Sequence, residues 1–252
     1  MSVHVQAIAK RHTITGSGPG HYAEIRPAPG AKATRTTAAI ISPVIVLSNL
    51  GRTMKQPDLA TEIDMFGRMT IALLEIEECR EFISLIPEVR TNMVFAHPRA
   101  KTPDEVMAVD GRITIINSMP RAAGRVRFGA SSHMARLIIE LMKTDPSVRA
   151  GIDFANPPRF SDWLADYGIK QGWVSAMIDR RIEPAELMTV EGSSMQWKAA
   201  EAVRAAGGTV PKIICDAGGM GKEPVCILTG KEPISLAREV CGIARAYAQL
   251  RE

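Results

Sequence analysis

The strongest periodic stretch of the chain follows residue 130. Met134, Leu137, Ile138, Leu141 and Met142 recur at i, i+3, i+4, i+7 and i+8, the spacing of one buried helical face. Ser131 or Ser132 suits its N-cap, Lys143 complements its C-terminal dipole, and Asp145-Pro146 ends it. A longer helical stretch is predicted from Thr61 to Ile86, with Ile63, Phe66, Ile71, Leu74, Cys79, Phe82 and Ile86 as its buried positions. Between these two helices lie an extended segment, TNMVFAH (91–97), a short helical piece, DEVMAVDG, and a strand over 112–118. Downstream, FSDWLADYG reads as a helix closed by Gly168 and GWVSAMID as a strand. SSMQWKAAEAVRAAGG reads as a helix, KIICD and PVCILTG as strands, and residues 232–250 as a final amphipathic helix. Helices and strands alternate, which predicts an α/β fold with helices on both faces of a sheet.

Residues 1–60 have a different texture. Seven of the fifteen residues from Gly16 to Gly30 are Gly or Pro, which suits turns or a flexible arm, and the Ile/Val-rich run over 38–49 reads as a strand or two strands broken at Pro43. The expected organisation is a basic N-terminal extension over 1–60 and a domain over 61–252. With 252 residues, 46% of them apolar and 23% charged, the chain has material for a sizeable core. Its longest apolar run, Ala38–Leu50, is interrupted by Ser42, Pro43, Ser48 and Asn49 and is too short to cross a bilayer. No secretory signal is read at the start, so a cytosolic protein is expected. Cys79, Cys215, Cys226 and Cys241 are widely spaced, with no CxxC pair, and reduced, buried thiols are expected.

Charge is unevenly spread. Residues 1–60 carry seven Lys/Arg against two acids, whereas the remainder carries 24 against 25. A near-neutral body argues against a general nucleic-acid binder. Within that body, Gly111–Ile139 holds five arginines (Arg112, Arg121, Arg125, Arg127, Arg136) and His133 with no acid. Either an anion binds there or the arginines are satisfied by distant carboxylates such as Asp110 and Glu140.

Three local constellations bear on chemistry. In FGASSH, Gly129 and Ala130 allow close approach, and Ser131 and Ser132 stand beside the unpaired N–H groups of a helix start, a cradle suited to phosphate. The GxxxxGK[ST] spacing is absent, and Ser-Ser before a helix is also ordinary capping. His133, in the first turn, is either a capping histidine or a proton and hydrogen-bond donor to a phosphate oxygen. In DAGGMGKE (216–223), glycines including Gly221 can turn backbone N–H groups inward beside Lys222, or simply form a hairpin, and Asp216 and Glu223 can hold Mg²⁺ bridging a diphosphate. Asp179-Arg180-Arg181 reads as a surface ion pair in preference to a further anion contact, and Trp163, Trp173 and Trp197 as core in preference to a stacking platform for a heterocycle. No histidine pair suggests a catalytic metal, and no spacing suggests a covalent nucleophile.

The ordered blocks LIPEVRTNMVFAHPRAKTPDEVMAVDGRI, MPRAAGRVRFGASSHMARLIIELMKTDPSVRA, DRR, EGSSMQW and DAGGMGKEP resemble the ThiN-type thiamine-phosphate synthase domain of archaea, from about residue 65 to 248. Arg99 departs from the family's usual Gly. The resemblance implies a three-layer α/β/α sandwich with a mixed sheet, similar to class II aldolases. It also implies coupling of hydroxymethylpyrimidine diphosphate with hydroxyethylthiazole phosphate, releasing diphosphate. By that likeness Arg112 and His133 serve catalysis. Beside them, the residues expected to contact substrate or phosphate are Asn92, Arg121, Arg127, Gly129, Ala130, Ser131, Ser132, Asp216, Gly221, Lys222 and Glu223, with Mg²⁺ bridging the diphosphate as the expected cofactor. The expected partners are the two phosphorylated small molecules and further copies of the chain, with no membrane and no nucleic acid. A thiamine-phosphate-sensing regulator that binds without catalysis is the rival reading, and class II aldolase-like chemistry a third.

Overall fold

In the computed structural model, residues 58–188, 193–219 and 221–250 are described. The predicted N-terminal arm, its strand over 38–49, and His4, His12 and His21 lie outside the described residues. The chain runs α1 (Leu59–Glu77), a 3-10 turn (Arg80–Leu85), β1 (Met93–Ala96), a 3-10 turn (Pro103–Glu105), β2 (Val106–Val109), β3 (Ile113–Ile116), β4 (Met119–Ala122), β5 (Val126–Phe128) and α2 (Ser132–Thr144). It continues with β6 (Ala150–Ala155), α3 (Phe160–Lys170), β7 (Ser175–Ile178), α4 (Ala185–Met188), α5 (Ser193–Ala205), β8 (Ile213–Asp216), β9 (Val225–Gly230) and α6 (Pro233–Ala248).

Seven strands form one mixed sheet in the order β5-β2-β1-β6-β9-β8-β7, and β3 and β4 form a separate hairpin. Among the described strands of this sheet β7 and β8 pair in parallel and the other neighbours are antiparallel. Two apolar clusters lie on opposite faces, as period-two alternation requires. Met93, Phe95, Ile152, Phe154, Cys226 and Leu228 pack with α1, α3 and α6, while Val94, Ala96, Ile214 and Ile227 pack with α2 and α5. This is the α/β fold with helices on both faces that the residue pattern predicts, and its mixed sheet is the one the resemblance implies.

Three expectations are corrected. First, α1 buries Met65, Met69, Ala72, Leu73 and Ile76, whereas Ile63, Phe66, Ile71 and Leu74 are exposed. Two apolar stripes run along this helix, and packing against α6 selects the methionine-bearing one, whose unbranched side chains fill irregular gaps. Second, VMAV is strand β2, not part of a helix; all four residues are buried, so no alternation marks it. Third, Cys215 and Cys226 face each other across β8 and β9 and are joined in a disulfide, leaving Cys79 and Cys241 as buried free thiols.

The expected core tryptophans are core. Trp163 stacks against Phe160, Tyr167 and Tyr247, Trp173 meets Tyr167 edge-on, and Trp197 packs against the second cluster. Phe160 is fully buried between Phe154, Trp163 and Tyr247, with the Tyr247 ring centroid at 4.6 Å. Its truncation leaves a cavity that these rigid rings cannot collapse to fill. Phe160→Ala is therefore expected to cost about 3–5 kcal/mol of stability, measured from denaturant unfolding of the two proteins.

Candidate functional site

The pairing registers bring the start of β1 and the ends of β2, β6, β7 and β8 to one end of the sheet, together with the starts of β5 and β9. Asn92, Asp110–Arg112, Asp153–Asn156, Asp179–Glu183 and the turn over 216–223 therefore share that end. Alternation then selects a face. The Gly151 Cα faces Met134 and Ile138 of α2, so Asp153, two residues on, faces the α2–α5 side, as do Asn92 beside Val94 and Asp216 beside Ile214.

A buried ionic network organises this end. Asp216, at 2% exposure, accepts from Arg180 Nε at 2.8 Å, pairs with Arg180 Nη2 at 2.7 Å and Lys198 Nζ at 2.7 Å, and accepts the Gly218 N–H at 2.9 Å. Arg180 Nη1 reaches Glu183 at 2.8 Å and the Ser194 hydroxyl at 2.9 Å, and Ser194 donates to Glu183. Lys222 meets Glu183 at 3.3 Å and, 40% exposed, carries the network out to solvent. Burial pushes Asp216 up, but the Lys198 charge and the hydrogen bonds from Arg180 and Lys198 outweigh it and hold the carboxyl below its ordinary range. Burial likewise pulls Lys198 down. Arg180 is thus a buried anchor, not the surface ion pair expected; Asp179 and Arg181 alone form that pair.

A second set of contacts clamps the loop before β1. Glu223 accepts the N–H groups of Glu88 at 3.0 Å and Val89 at 3.1 Å, and the Arg112 guanidinium donates to the Val89 carbonyl. Arg112 holds φ at +70°, a left-handed conformation costly for a residue with a Cβ. Between the two sets stands Asp153, whose Oδ1 accepts the Asn92 N–H at 2.7 Å. Burial pushes its carboxyl up to about 7, against the Asn92 hydrogen bond and the charges of Arg112 and Lys198. The side-chain oxygens of Thr91, Asn92 and Asn156 are buried without a hydrogen-bond partner.

The predicted site residues divide. Asn92, Arg112, Asp216, Gly221, Lys222 and Glu223 gather at this end. Arg121, on β4, turns to the Glu77 carbonyl at 2.8 Å, and Arg127 pairs with Asp110 at 3.0 Å. The Gly129 N–H bonds the Val106 carbonyl, at the opposite end of the β2–β5 pair from Asp110, with roughly 10 Å of strand between Val106 and Val109. Gly129, Ala130, Ser131 and Ser132 and the exposed His133 follow that far end, and the Ser131 side chain makes no capping hydrogen bond. The arginine-rich segment thus does not converge on one concavity with the helix start.

Asp216 and Glu223 do not fit as ligands of a bridging Mg²⁺, because their oxygens are spent on Arg180, Lys198 and backbone N–H groups. Among the described residues no group of three or more His, Cys, Asp or Glu is arranged to hold a metal ion. Sequence reasoning missed Asp153, Glu183, Ser194 and Lys198 as site residues. Strand β6 alternates Ile152 and Phe154 with Asp153 over too few residues to mark it, and the Lys198–Asp216 pair spans two elements.

A sequence model described as thiamine-phosphate synthase ThiN matches residues 68–241. The thiamine-phosphate synthase ThiN of Methanothermobacter thermautotrophicus is 36% identical over 180 residues, 71% of this chain and 92% of that protein. The bifunctional thiamine biosynthesis protein ThiDN of Methanocaldococcus jannaschii is 33% identical over 169 residues, 66% of this chain and 38% of that longer protein. Among solved structures, the C-terminal domain of a phosphomethylpyrimidine kinase superposes with a TM-score of 0.67 at 30% identity, covering 73% of this chain and 98% of that one.

The raised Asp153 carboxyl has a signed consequence. Between about pH 4 and 7 the folded state holds a proton that the unfolded chain has released, so stability from this group is full below that window and is lost as pH rises through it. Asp153→Asn abolishes the loss. Unfolding free energies of variant and parent from urea denaturation should be similar near pH 4 and diverge in favour of the variant, by at least about 1 kcal/mol, by pH 8.

Proposed function

Since the chain belongs to the thiamine-phosphate synthase ThiN family, we propose that it couples hydroxymethylpyrimidine diphosphate with hydroxyethylthiazole phosphate, giving thiamine phosphate and diphosphate. One observation carries the reading: the fold draws to a single sheet end the residues of blocks far apart in sequence, Asn92, Arg112, Arg180, Ser194, Asp216, Lys222 and Glu223. The two curated relatives named above are biosynthetic proteins, and no finding supports the regulator.

The reaction needs little proton transfer. The thiazole nitrogen lone pair forms the new bond to the pyrimidine methylene carbon, while the carbon–oxygen bond breaks and its electrons leave with diphosphate. The barrier lies in the charge that gathers on the leaving group, which fixed cations in a partly desolvated site stabilise. Arg180 and Lys198 are spent on Asp216 and Arg181 on Asp179, so the cations we assign to the leaving group are Lys222, held by Glu183 and Ser194, and Arg112, held against the Val89 carbonyl; both are anchored before substrate arrives. Preorganisation of that kind means no reorganisation is spent when charge develops.

Two phosphorylated substrates require two anion sites with the reacting atoms between them. We assign the diphosphate to Arg112 and Lys222, and the thiazole phosphate to the helix start, where Gly129–Ser132 present backbone N–H groups and His133 a hydrogen-bond donor. Arg121 and Arg127 act through their structural partners in this scheme. The assembly we propose is a homo-oligomer, supported by the apolar stripe Leu59, Ile63, Phe66 and Leu74 that α1 leaves exposed.

Purified protein given both phosphorylated halves should form thiamine phosphate, detected by chromatography. Arg112→Ala and His133→Ala should each lower kcat/KM at least ~100-fold. Lys222→Ala should raise KM for the pyrimidine diphosphate while leaving KM for the thiazole phosphate near its parent value. Absence of product with intact binding of both halves would refute catalysis.

A further inference from the structure

Asp153 stands outside every sequence block that marks the family, yet it lies at the site end of β6, the central strand of the sheet, where the charges of Arg112, Lys198 and Glu223 reach it. Among the described residues its carboxyl accepts one hydrogen bond, from the Asn92 N–H, and is bonded to no cation. Lys198 is committed to Asp216 and Arg112 to the Val89 carbonyl, so both act on Asp153 only through space. An ionised or neutral carboxyl has room for several more hydrogen bonds. Beside it, Asn92 is 4% exposed and its Oδ1 has no partner. A buried acceptor left unpaired is costly unless a ligand pairs it.

Acceptor oxygens gathered at one point repel a phosphate and attract N–H donors. Of the two substrates, only the aminopyrimidine carries such donors, on its exocyclic amino group; the thiazole ring has none and its hydroxyl is esterified. We propose that Asp153 and the Asn92 Oδ1 receive the amino group of the pyrimidine ring, which makes Asp153 a catalytic residue of the coupling. This inference rests on the function proposed above.

The role follows from where electrons move. As the carbon–oxygen bond breaks, the methylene carbon becomes electron-poor, and the amino lone pair delocalises toward it through the ring. Positive charge then builds on the amino nitrogen, and its N–H groups become stronger donors to Asp153. The thiazole lone pair forms the new bond, the displaced pair departs with diphosphate, and Asp153 neither gains nor loses a proton overall.

The test pairs the aminopyrimidine diphosphate with an analogue in which a carbonyl oxygen replaces the amino group, in turnover with thiazole phosphate and in calorimetric binding. The parent protein should prefer the amino compound by at least ~100-fold in kcat/KM, as sites built around a donor do. In Asp153→Asn, whose amide can donate to the carbonyl, that preference should fall at least ~10-fold. Asn92→Ala should weaken binding of the amino compound and leave binding of thiazole phosphate unchanged. A folded Asp153→Asn that keeps the parent's preference overturns the inference and leaves the function standing, as does a parent indifferent to the two compounds. Selective binding that Asp153→Asn abolishes, in a protein that makes no thiamine phosphate, refutes the function while upholding the amino-group subsite.

Discussion

The carboxylate of Asp216 is the constraint from which the site is built. A lone carboxylate at 2% exposure is not tolerable, and two cations, Arg180 and Lys198, meet it within 2.8 Å. Two cations on one anion leave an excess, which Glu183 takes up on the other edge of Arg180. Because Asp216 ends β8, Arg180 follows β7 and Lys198 lies on α5, the ends of β7 and β8 and the first turns of α5 are held in one arrangement. Removing any single partner would strand a buried charge, a loss on the order of 3–5 kcal/mol. That makes the network a device for position more than for stability, since an apolar replacement could serve stability as well.

The turn after β8 shows what that position achieves. Asp216 ties its beginning to α5, Glu223 ties its end to the loop before β1, and the Cys215–Cys226 bond links the strands beneath it. Gly218, with φ at +75° and its Cα facing the Lys222 carbonyl and Pro224, lets the chain double back where any side chain would collide. Lys222 is left at the tip with its ammonium drawn toward Glu183 and Ser194. The acids of this turn, which in sequence look like metal ligands, are its fasteners.

Much of this was legible from residue pattern and part was not, for separable physical reasons. Helix α2 announces itself because its apolar face, its caps and its stop agree. The paired strands around the glycine-rich turn were legible for the same reason. Helix α1 carries two apolar stripes, and periodicity cannot say which one meets α6. Strand β2 is buried on both faces, so VMAV shows no alternation and borrowed a helical reading from the acids before it. Arg180 sits between Asp179 and Arg181, and a run of charges normally means solvent; only the partners Asp216 and Glu183, brought in by the fold, explain its burial. The arginine-rich segment misled in the opposite direction. Proximity in sequence suggested one pocket, but β5 separates Arg112 from Gly129 by its full length, because a strand carries successive residues away from one another.

Within the one sheet end, opposite chemistries give the site a direction. Cations at Arg112 and Lys222 attract the diphosphate end of one substrate, and the unspent oxygens of Asp153 and Asn92 repel it and attract amino N–H groups. A molecule with an anion at one end and a donor at the other can satisfy both regions in only one orientation, and it then presents its methylene carbon between them. The acceptor group adds nothing to the affinity of a simple phosphate and opposes it, which filters out the many cellular anions that lack a donor at the right reach. Discrimination of this kind comes from what is left unpaired when the wrong ligand binds, and it explains why a fold would keep a carboxyl at a cost in the middle of a site whose main task is to hold anions.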